Sequence, residues 1–352
     1  MSKIIALLKK TPLRPLWWKL KKKPPFKQLR AKEGQLHKFY TLKIRLPRLY
    51  KKYASQPVQE NKVVFMEVRL PQLTNSLSLI YEEMKADGRY EIHQHFLQNT
   101  FVRRSEYDRR SREFIKDIAT AKYVFVCEAS NVLGCIAKRP ETIVTQTWHG
   151  CGAFKKFGMS TAELIFGLNR EQMLRYPFYT NYTHVTLSSP DIAWAYEEAM
   201  NLSEQKEVIK PVGISRTDVF FDRKFIDRAY ENVYNKMPQA RGKKIILYAP
   251  TFRGRVAKGK APNKMDLSMF REALGDEYVM LIKHHPLVRK LPQIPEDCVD
   301  FALDVTNDMT IDDLICTSDI CISDYSSLVF EYSLFERPMI FFAYDKAEYD
   351  DW

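Results

Sequence analysis

The chain has 352 residues, of which 45% are hydrophobic and 13% aromatic. That length and composition exclude a single small core and favour two packed domains. The formal net charge is +12, so at least one part of the chain is expected to meet an anionic partner.

The cysteines indicate a reducing compartment, because none of them forms a Cys-x-x-Cys pair and most lie in predicted strands, helices or turns. The same spacing argues against a structural zinc ion. The apolar run 4–8 is shorter than the core of a secretory signal peptide, and no stretch is apolar for long enough to span a bilayer. The cysteines are Cys127, Cys135, Cys151, Cys298, Cys316 and Cys321.

The excess positive charge lies at the N-terminus. Residues 1–52 hold about 17 Lys or Arg against the single acid Glu33, roughly +16, whereas the remainder of the chain is roughly −4. Tryptophan rings favour the headgroup level of a membrane while lysines reach its phosphates, so residues 1–60 are predicted to be a basic amphipathic arm on an anionic membrane surface. The alternatives are a solvated or packed extension and a nucleic-acid-binding arm. The apolar residues behind this prediction are Leu13, Leu16, Trp17, Trp18, Leu20, Phe26 and Leu29.

After the arm, strand and helix patterns alternate, which predicts parallel sheets with crossover helices. A polar, helix-forming stretch over 223–241 separates two such blocks. We therefore predict an N-terminal Rossmann-like domain over 61–225 and a C-terminal one over 226–352. The predicted strands are 62–68, 90–96, 123–127, 142–147, 183–187, 208–212, 244–248, 278–283, 319–323 and 339–342, and the first block has predicted helices at 76–86 and 107–120.

His149 follows the predicted strand 142–147, in a turn that contains Gly150 and Gly152. Ligands of open α/β sheets bind outside the carboxyl ends of the strands, so a catalytic side chain is expected at this position. The alternative is a buried, hydrogen-bonded histidine with a structural role.

Two pairs of neighbouring histidines differ in what they permit. Adjacent residues of a strand point to opposite faces, so His284 and His285 cannot both reach one cleft. His93 and His95 share a strand face, but no carboxylate or third ligand accompanies them in the sequence, so we predict no metal there.

Arg253 follows the predicted strand 244–248 and a Pro-Thr turn that ends at Thr251. A guanidinium matches phosphate oxygens in a planar fork, so Arg253 and Thr251 are candidates for a pyrophosphate clamp. A surface arginine is the alternative, and the nearby Arg255 leaves open which of the two would act.

The last segment predicts a strand over 319–323, a turn over 324–327 and a helix over 328–335. Backbone N–H groups at a helix N-terminus lack an intrahelical partner, so two serines in that turn favour a phosphate site. The simpler interpretation is that Asp324 or Ser326 only caps the helix.

Five segments in this order resemble the CDP-glycerol glycerophosphotransferase family, the teichoic-acid primases and polymerases. The resemblance runs from about Val63 to Tyr349. It implies the GT-B arrangement, an α/β fold in which two Rossmann-like domains face each other across a cleft. The segments are Gln146-Thr-Trp-His-Gly150 with Lys155-Lys156, Gly213-Ile-Ser-Arg-Thr-Asp218, Tyr248-Ala-Pro-Thr-Phe-Arg253, His285-Pro286, and Asp324-Tyr-Ser-Ser327 with Glu331, Arg337-Pro338 and Tyr344-Asp345.

The resemblance also implies roles. His149 would be a general base for the acceptor hydroxyl, and His285 would hold the donor phosphate, which leaves His284 a packing role. Arginine, histidine and helix-terminus donors would neutralise the pyrophosphate, so no metal or other cofactor is expected. The implied donor-binding residues are Thr251, Arg253, Asp324, Ser326, Ser327 and Glu331. The implied acceptor or structural residues are Lys155, Lys156, Arg216 and Asp218, the last two as a buried ion pair that closes a turn.

The expected reaction moves glycerol phosphate from CDP-glycerol to a hydroxyl of a lipid-linked saccharide or polyol-phosphate acceptor, releasing CMP at the cytoplasmic face of the cell membrane. CDP-ribitol is the alternative donor. Two further hypotheses propose a different function. One is an inactive protein that anchors a polysaccharide assembly complex, and the other is a nucleotide-sugar glycosyltransferase. Residues 151–154 depart from the family pattern, so contacts with the acceptor are expected to differ. Relatives also continue past the equivalent of Trp352, so we expect either a shortened form or a chain that lacks part of the natural protein.

Overall fold

The computed structural model describes residues 24–350, except for 165–166 and 255–258. The arm's predicted apolar residues up to Leu20, and Arg255, therefore lie outside the described residues. None of the described helices is long and apolar enough to cross a membrane.

From residue 24 onward, three helical segments precede the first strand: α1 (Pro24–Phe39), a π-helix (Tyr40–Arg45) and α2 (Leu46–Tyr53). The side chains of Leu42, Leu46 and Tyr50 recur every four residues, so they share one face, and all three are buried in the core of the first domain. The region 1–60 is thus not a separate arm along its whole length, because its last third supplies part of this core.

The first domain is built on a sheet of six parallel strands, each joined to the next by a crossover. Its order is β2-β1-β3-β4-β5-β6. The strands are β1 (Gln59–Glu67), β2 (Glu91–Phe96), β3 (Ala121–Val126), β4 (Ile143–Gln146), β5 (His184–Thr186) and β6 (Ile209–Lys210), and the helices are α3 (Asn75–Asp87), α4 (Arg104–Ile118), α5 (Asn131–Gly134), α6 (Arg170–Arg175) and α7 (Ala193–Met200).

The second domain has a sheet of five parallel strands in the order β11-β10-β7-β8-β9. The strands are β7 (Lys244–Ala249), β8 (Tyr278–Ile282), β9 (Ala302–Asp304), β10 (Ile320–Ser323) and β11 (Met339–Phe341). The helices are α8 (Arg223–Lys236), α9 (Leu267–Leu274), α10 (Ile311–Thr317), α11 (Leu328–Tyr332) and α12 (Lys346–Asp350). Short 3-10 helices in the described part of the chain include Gly158–Thr161, Pro190–Ile192, Lys206–Val208, Ser215–Phe221, Pro238–Ala240, Glu296–Cys298 and Ser333–Phe335.

The hydrophobic cores separate the two domains slightly earlier than the sequence predicts. The core of the first domain includes Ile214, whereas Val219, Phe220 and Phe225 already pack with the second. The change of core therefore falls between residues 214 and 219, before the predicted boundary at 225. Each sheet is parallel throughout, so the prediction of two parallel α/β blocks is confirmed.

Candidate functional site

The turn after β4 is built from a chain of buried polar contacts. The Gln146 side chain accepts a hydrogen bond from the backbone N–H of Trp148 at 3.1 Å and donates to the Tyr182 hydroxyl at 3.0 Å. Trp148 adopts a left-handed backbone conformation with φ of 58°, which a non-glycine residue rarely adopts. Its ring is held by Phe157 and Tyr196, with centroids 4.9 and 5.4 Å away. Packing thus maintains a strained turn immediately before His149.

This turn fixes the tautomer of His149. Its Nδ1 lies 2.7 Å from the backbone oxygen of Cys127, and because a carbonyl only accepts, Nδ1 carries the proton. The other nitrogen, Nε2, then holds a lone pair. His149 retains exposed surface. Partial desolvation of its ring lowers the pKa of His149, and the positive charges of Arg216 and Arg69 lower it further. A neutral imidazole at neutral pH is what a general base requires.

His285 lies beyond β8 and is fixed in the opposite tautomer. The backbone N–H of Leu287 donates to its Nδ1 at 3.1 Å, so in the neutral ring the proton lies on Nε2. Desolvation and the charges of Lys155 and Arg69 lower the pKa of His285. His284, by contrast, is buried, with Nε2 3.7 Å from Asp304. The two histidines therefore differ in burial, but both lie beyond the end of β8 at Ile282, so the alternation rule for strands does not account for the difference.

Three of the predicted donor-binding residues lie together at the ends of β7 and β10. The Asp324 carboxylate is buried and accepts from the backbone N–H of Thr251 at 2.9 Å and from Arg253 at 2.8 Å. Arg253 also donates to the Thr251 hydroxyl and forms two hydrogen bonds with Asp345, at 2.6 and 3.0 Å. These carboxylates raise the pKa of Arg253 although burial opposes them. Its charge is therefore neutralised twice within the protein itself.

The turn that leads into α11 contains the two predicted serines. Ser326 and Ser327 are half-buried, and the Ser326 hydroxyl accepts from the backbone N–H of Leu328 at 3.3 Å. The N-cap residue of α11 is Ser327 and its side chain makes no capping hydrogen bond, so the Ser326 contact is a local hydrogen bond of the turn and not the cap that the simpler interpretation requires. The helix itself is one short turn and a half, continued by the 3-10 helix Ser333–Phe335.

Glu331 and Arg216 belong to a buried polar network that joins the domains. Arg216 pairs with Asp312 and lies 3.6 Å from Glu331, and it donates to the backbone oxygen of His149 at 2.7 Å. The Glu331 carboxylate in turn accepts from the backbone N–H of Cys151 at 2.9 Å. The predicted pairing of Arg216 with Asp218 is wrong, because Asp218 is exposed at the surface while Arg216 points to Asp312. The turn of His149 is thus held from the second domain.

Close approach of the two domains explains a glycine in this turn. A β-carbon at Gly152 would lie 2.5 Å from the ring of Phe330, so any larger residue would push α11 away. Phe154 lies against the same ring, with centroids 6.2 Å apart. The residues 151–154, which depart from the family pattern, therefore pack at the domain contact.

The predicted acceptor residues Lys155 and Lys156 are exposed at the edge of this turn. Lys155 Nζ donates to the Tyr349 hydroxyl at 2.8 Å, so it spans from the first domain to the end of the second. The charged residues near the site that were not predicted include Arg69 after β1 and Glu128 after β3, 3.2 Å apart. Both follow a strand at its carboxyl end, and the rule that selected His149 would have found them.

The two histidines of β2 do have a carboxylate nearby, contrary to the prediction. Asp117 lies 2.8 Å from His95 Nε2 and 3.6 Å from His93 Nδ1, but Lys62 already occupies it at 2.9 Å. Among the described residues, no group of three or more His, Cys, Asp or Glu side chains is arranged to hold a metal ion.

Two Rossmann-like domains with parallel sheets of six and five strands, facing each other across a cleft, form a GT-B fold. Comparison with known proteins gives the family. The sequence matches the profile of CDP-Glycerol:Poly(glycerophosphate) glycerophosphotransferase over residues 49–352, and the chain belongs to that family. The family comprises glycerol- or ribitol-phosphate transferases of teichoic acid synthesis.

Relatives of known name are similar over most of the chain. The teichoic acid ribitol-phosphate primase of Bacillus spizizenii is 35% identical over 298 residues, which cover 83% of this chain and 75% of the primase. The ribitol-phosphate polymerase TarK of Staphylococcus aureus is 31% identical over 82% of this chain, but the match spans only 56% of TarK. The wall teichoic acid polymerase TagF has the same fold, with a TM-score of 0.69 at 23% identity, over 92% of this chain and 80% of that one.

Proposed function

We propose that the protein transfers an alditol phosphate from a CDP-alditol to a hydroxyl of an acceptor and releases CMP. The observation that carries this proposal is the hydrogen bond from His149 Nδ1 to the Cys127 carbonyl, which leaves Nε2 free to take a proton. Family membership supplies the donor class.

His149 would act on the acceptor. Its Nε2 removes the hydroxyl proton while the oxygen attacks the phosphorus that carries the alditol. A new P–O bond forms to the acceptor, the anhydride bond to CMP breaks, and CMP leaves with the electron pair. The proton on His149 then passes to solvent or product, which restores the neutral base.

His285 would act on the donor. In the tautomer that Leu287 imposes, Nε2 carries the proton and can donate it in a hydrogen bond to a phosphate oxygen. A neutral donor stabilises the charge that accumulates on the leaving phosphate and does not compete for the acceptor's proton.

The nucleoside of the donor would occupy a cavity of about 510 Å³ beside β7 and β8, a volume within the usual range of small-molecule sites. Tyr248, Ile282 and His284 line its inner wall, and Lys264 and Pro292 lie at its other side. His284 lines this cavity and is the neighbour of His285. A cytosine ring bound here would therefore bring the pyrophosphate of the same donor molecule towards the predicted phosphate-binding residues.

For the alditol we favour ribitol. The sequence analysis expects glycerol and keeps ribitol as the alternative. Four relatives named for ribitol phosphate are 31% to 35% identical, whereas four named for glycerol phosphate are 28% to 30% identical. Glycerol remains the second candidate because a TagF variant, similar in fold, was soaked with CDPG.

The test is CMP release from CDP-ribitol, CDP-glycerol and a sugar nucleotide, each with a lipid-linked acceptor. We expect turnover with one CDP-alditol and none with the sugar nucleotide. Binding of a CDP-alditol without any turnover would favour the alternative class, an inactive anchoring protein. Turnover with the sugar nucleotide alone would favour a glycosyltransferase.

We also propose that the protein works peripherally at an anionic membrane surface on the cytoplasmic side. Leu29, Leu36 and Tyr40 share one side of α1 and the following π-helix, and each is about half exposed or more. The neighbouring Lys32 and Lys43 are exposed as well, a mixture that suits the headgroup region.

Deletion of residues 1–52 would be a poor test, because it would remove Leu46 and Tyr50 from the core. The double variant Leu29→Glu and Leu36→Glu should instead reduce sedimentation with anionic vesicles, and salt should reduce it for the wild type. Met269→Glu in the second domain is the matched control, since Met269 is 56% exposed. Equal sedimentation of all three proteins would rule out α1 as the contact.

A further inference from the structure

The cations of the cleft are not equally available to a ligand. Arg253 is paired with Asp324 and Asp345, and Arg216 with Asp312 and Glu331. Each of these guanidinium groups therefore already faces two carboxylates. A donor pyrophosphate and any phosphate on the acceptor need positive charge that is not already neutralised in this way.

Arg69 differs from both. Its side chain is 68% exposed, and among the described residues the only carboxylate within 4.0 Å of it is Glu128. That contact uses Nε, at 3.2 Å from Glu128 Oε1. The two terminal nitrogens of the fork lie on the side away from Nε, which is the geometry that binds two oxygens of one phosphate.

The topology places this pair at the cleft. Arg69 follows β1 and Glu128 follows β3, and these strands pair directly, with β4 and the turn of His149 on the other side of β3. The charge of Arg69 acts on both histidines, because it lowers the pKa of His149 and of His285. Arg69 is therefore within electrostatic range of both the residue proposed for the acceptor and the one proposed for the donor.

Glu128 holds Arg69 without neutralising it as fully as a buried pair would. Its Oε2 is buried and has no hydrogen-bond partner among the described residues. Burial raises the pKa of the Glu128 carboxyl, and the charge of Arg69 opposes this rise. The poorly solvated Glu128 carboxylate therefore holds one edge of the exposed Arg69 guanidinium and fixes its position.

We propose that Arg69 is a phosphate-binding residue of the cleft, positioned by Glu128 and open to a phosphate through its terminal nitrogens. The inference rests on the proposed function, because the phosphate would belong to the donor or the acceptor of that transfer. Both sources present the same oxygens, so the experiment has to separate them.

The test is calorimetric titration of wild type, Arg69→Gln and Arg69→Lys with CDP-ribitol, CDP-glycerol and glycerol 3-phosphate at low salt. We expect Arg69→Gln to weaken at least one probe about ten- to hundredfold, since a charge-assisted hydrogen bond is lost, and Arg69→Lys to recover part of it. The control is Arg89→Gln, because Arg89 is 75% exposed and paired with Asp87, at the opposite end of the sheet, and should bind as wild type does.

Loss of CDP-alditol affinity would identify the donor pyrophosphate as the ligand, and loss of glycerol 3-phosphate affinity alone would identify an acceptor phosphate. A second readout is the pH profile, whose acid limb should move to higher pH in Arg69→Gln because a charge that lowers both histidine pKa values is gone. Unchanged affinity for all three probes would overturn the inference. Because binding needs no turnover, a wild type that binds but does not react would overturn the proposed function and leave this inference standing.

Discussion

The turn after β4 and the loop after β8 each present a histidine to the same cleft, yet they fix opposite ring nitrogens. A backbone carbonyl accepts from Nδ1 of His149, whereas a backbone N–H donates to Nδ1 of His285. One ring is thereby left with a lone pair at Nε2 and the other with a proton there. Identical side chains become a base and a donor because of a single main-chain contact each.

The two loops also differ in how strongly they are held. The turn of His149 contains the left-handed Trp148, and Arg216 reaches across from the domain junction to the His149 carbonyl. His285 is fixed by its own loop, through Leu287, and by the ring of Phe252 at 5.0 Å. A general base has to meet the acceptor hydroxyl at one defined angle, whereas a hydrogen-bond donor to a phosphate tolerates more freedom. The more strongly held of the two histidines is the proposed base, His149.

Replacing the base should give the largest effect. We expect His149→Gln to lower turnover about 10²- to 10⁴-fold, because an amide nitrogen cannot take the proton, and to leave CDP-alditol affinity nearly unchanged. Single-turnover kinetics and calorimetry separate the two quantities. Turnover within about threefold of wild type would show that His149 is not the base.

Removing the support of the base should come next. Arg216→Met leaves Asp312 and Glu331 as buried carboxylates without their partner, which costs about 3–5 kcal/mol of unfolding free energy. Arg223→Met is the control, because Arg223 is 83% exposed beside Asp227 and its loss should cost less than about 1 kcal/mol. Urea unfolding of both variants measures the difference, and equal stabilities would mean that the network contributes nothing.

How much of this could be foreseen depends on the range of the interactions. Strand patterns and glycine-rich turns are local, so the sequence places His149, Arg253 and the turn over 324–327 at strand ends, and the structure puts all three there. The partners of Arg216 lie 96 and 115 positions away, at Asp312 and Glu331, and no local pattern connects them. The family resemblance implies a pairing of Arg216 with Asp218, two positions away, and that prediction is wrong.

Two short elements of the second domain, β9 and α10, were not predicted from the sequence. The strand β9 has three residues and the helix α10 has seven, although β5 and β11 are as short as β9 and were predicted. In α10 a capping box marks the start, since Thr310 and Asp313 cap each other's backbone, and it would have indicated the helix that carries Asp312. The tautomers of the two histidines could not be foreseen, because they depend on main-chain groups that only the fold brings near.

The acid limb of the pH profile should be the next effect in size. His149 works only as the neutral base, and desolvation lowers its pKa from the ordinary value of about 6.5. Activity should therefore persist as the pH falls to about 6.5 and drop only below it, about tenfold per pH unit. A profile of kcat/KM from acid to neutral pH measures this, and a limb centred above neutrality would contradict the assignment.

The smallest effect is expected at His285, and it distinguishes the two histidines by their chemistry. The glutamine side chain carries N–H donors but no basic nitrogen, so it can replace a hydrogen-bond donor and cannot replace a base. We therefore expect His285→Gln to stay within about threefold of wild type in kcat/KM for the CDP-alditol, whereas His285→Ala should lose about tenfold, the value of one hydrogen bond. At His149 the same pair of substitutions should be equally damaging. If glutamine instead restores activity at His149 and not at His285, the tautomers have been assigned the wrong way round and the acceptor is activated from the second domain.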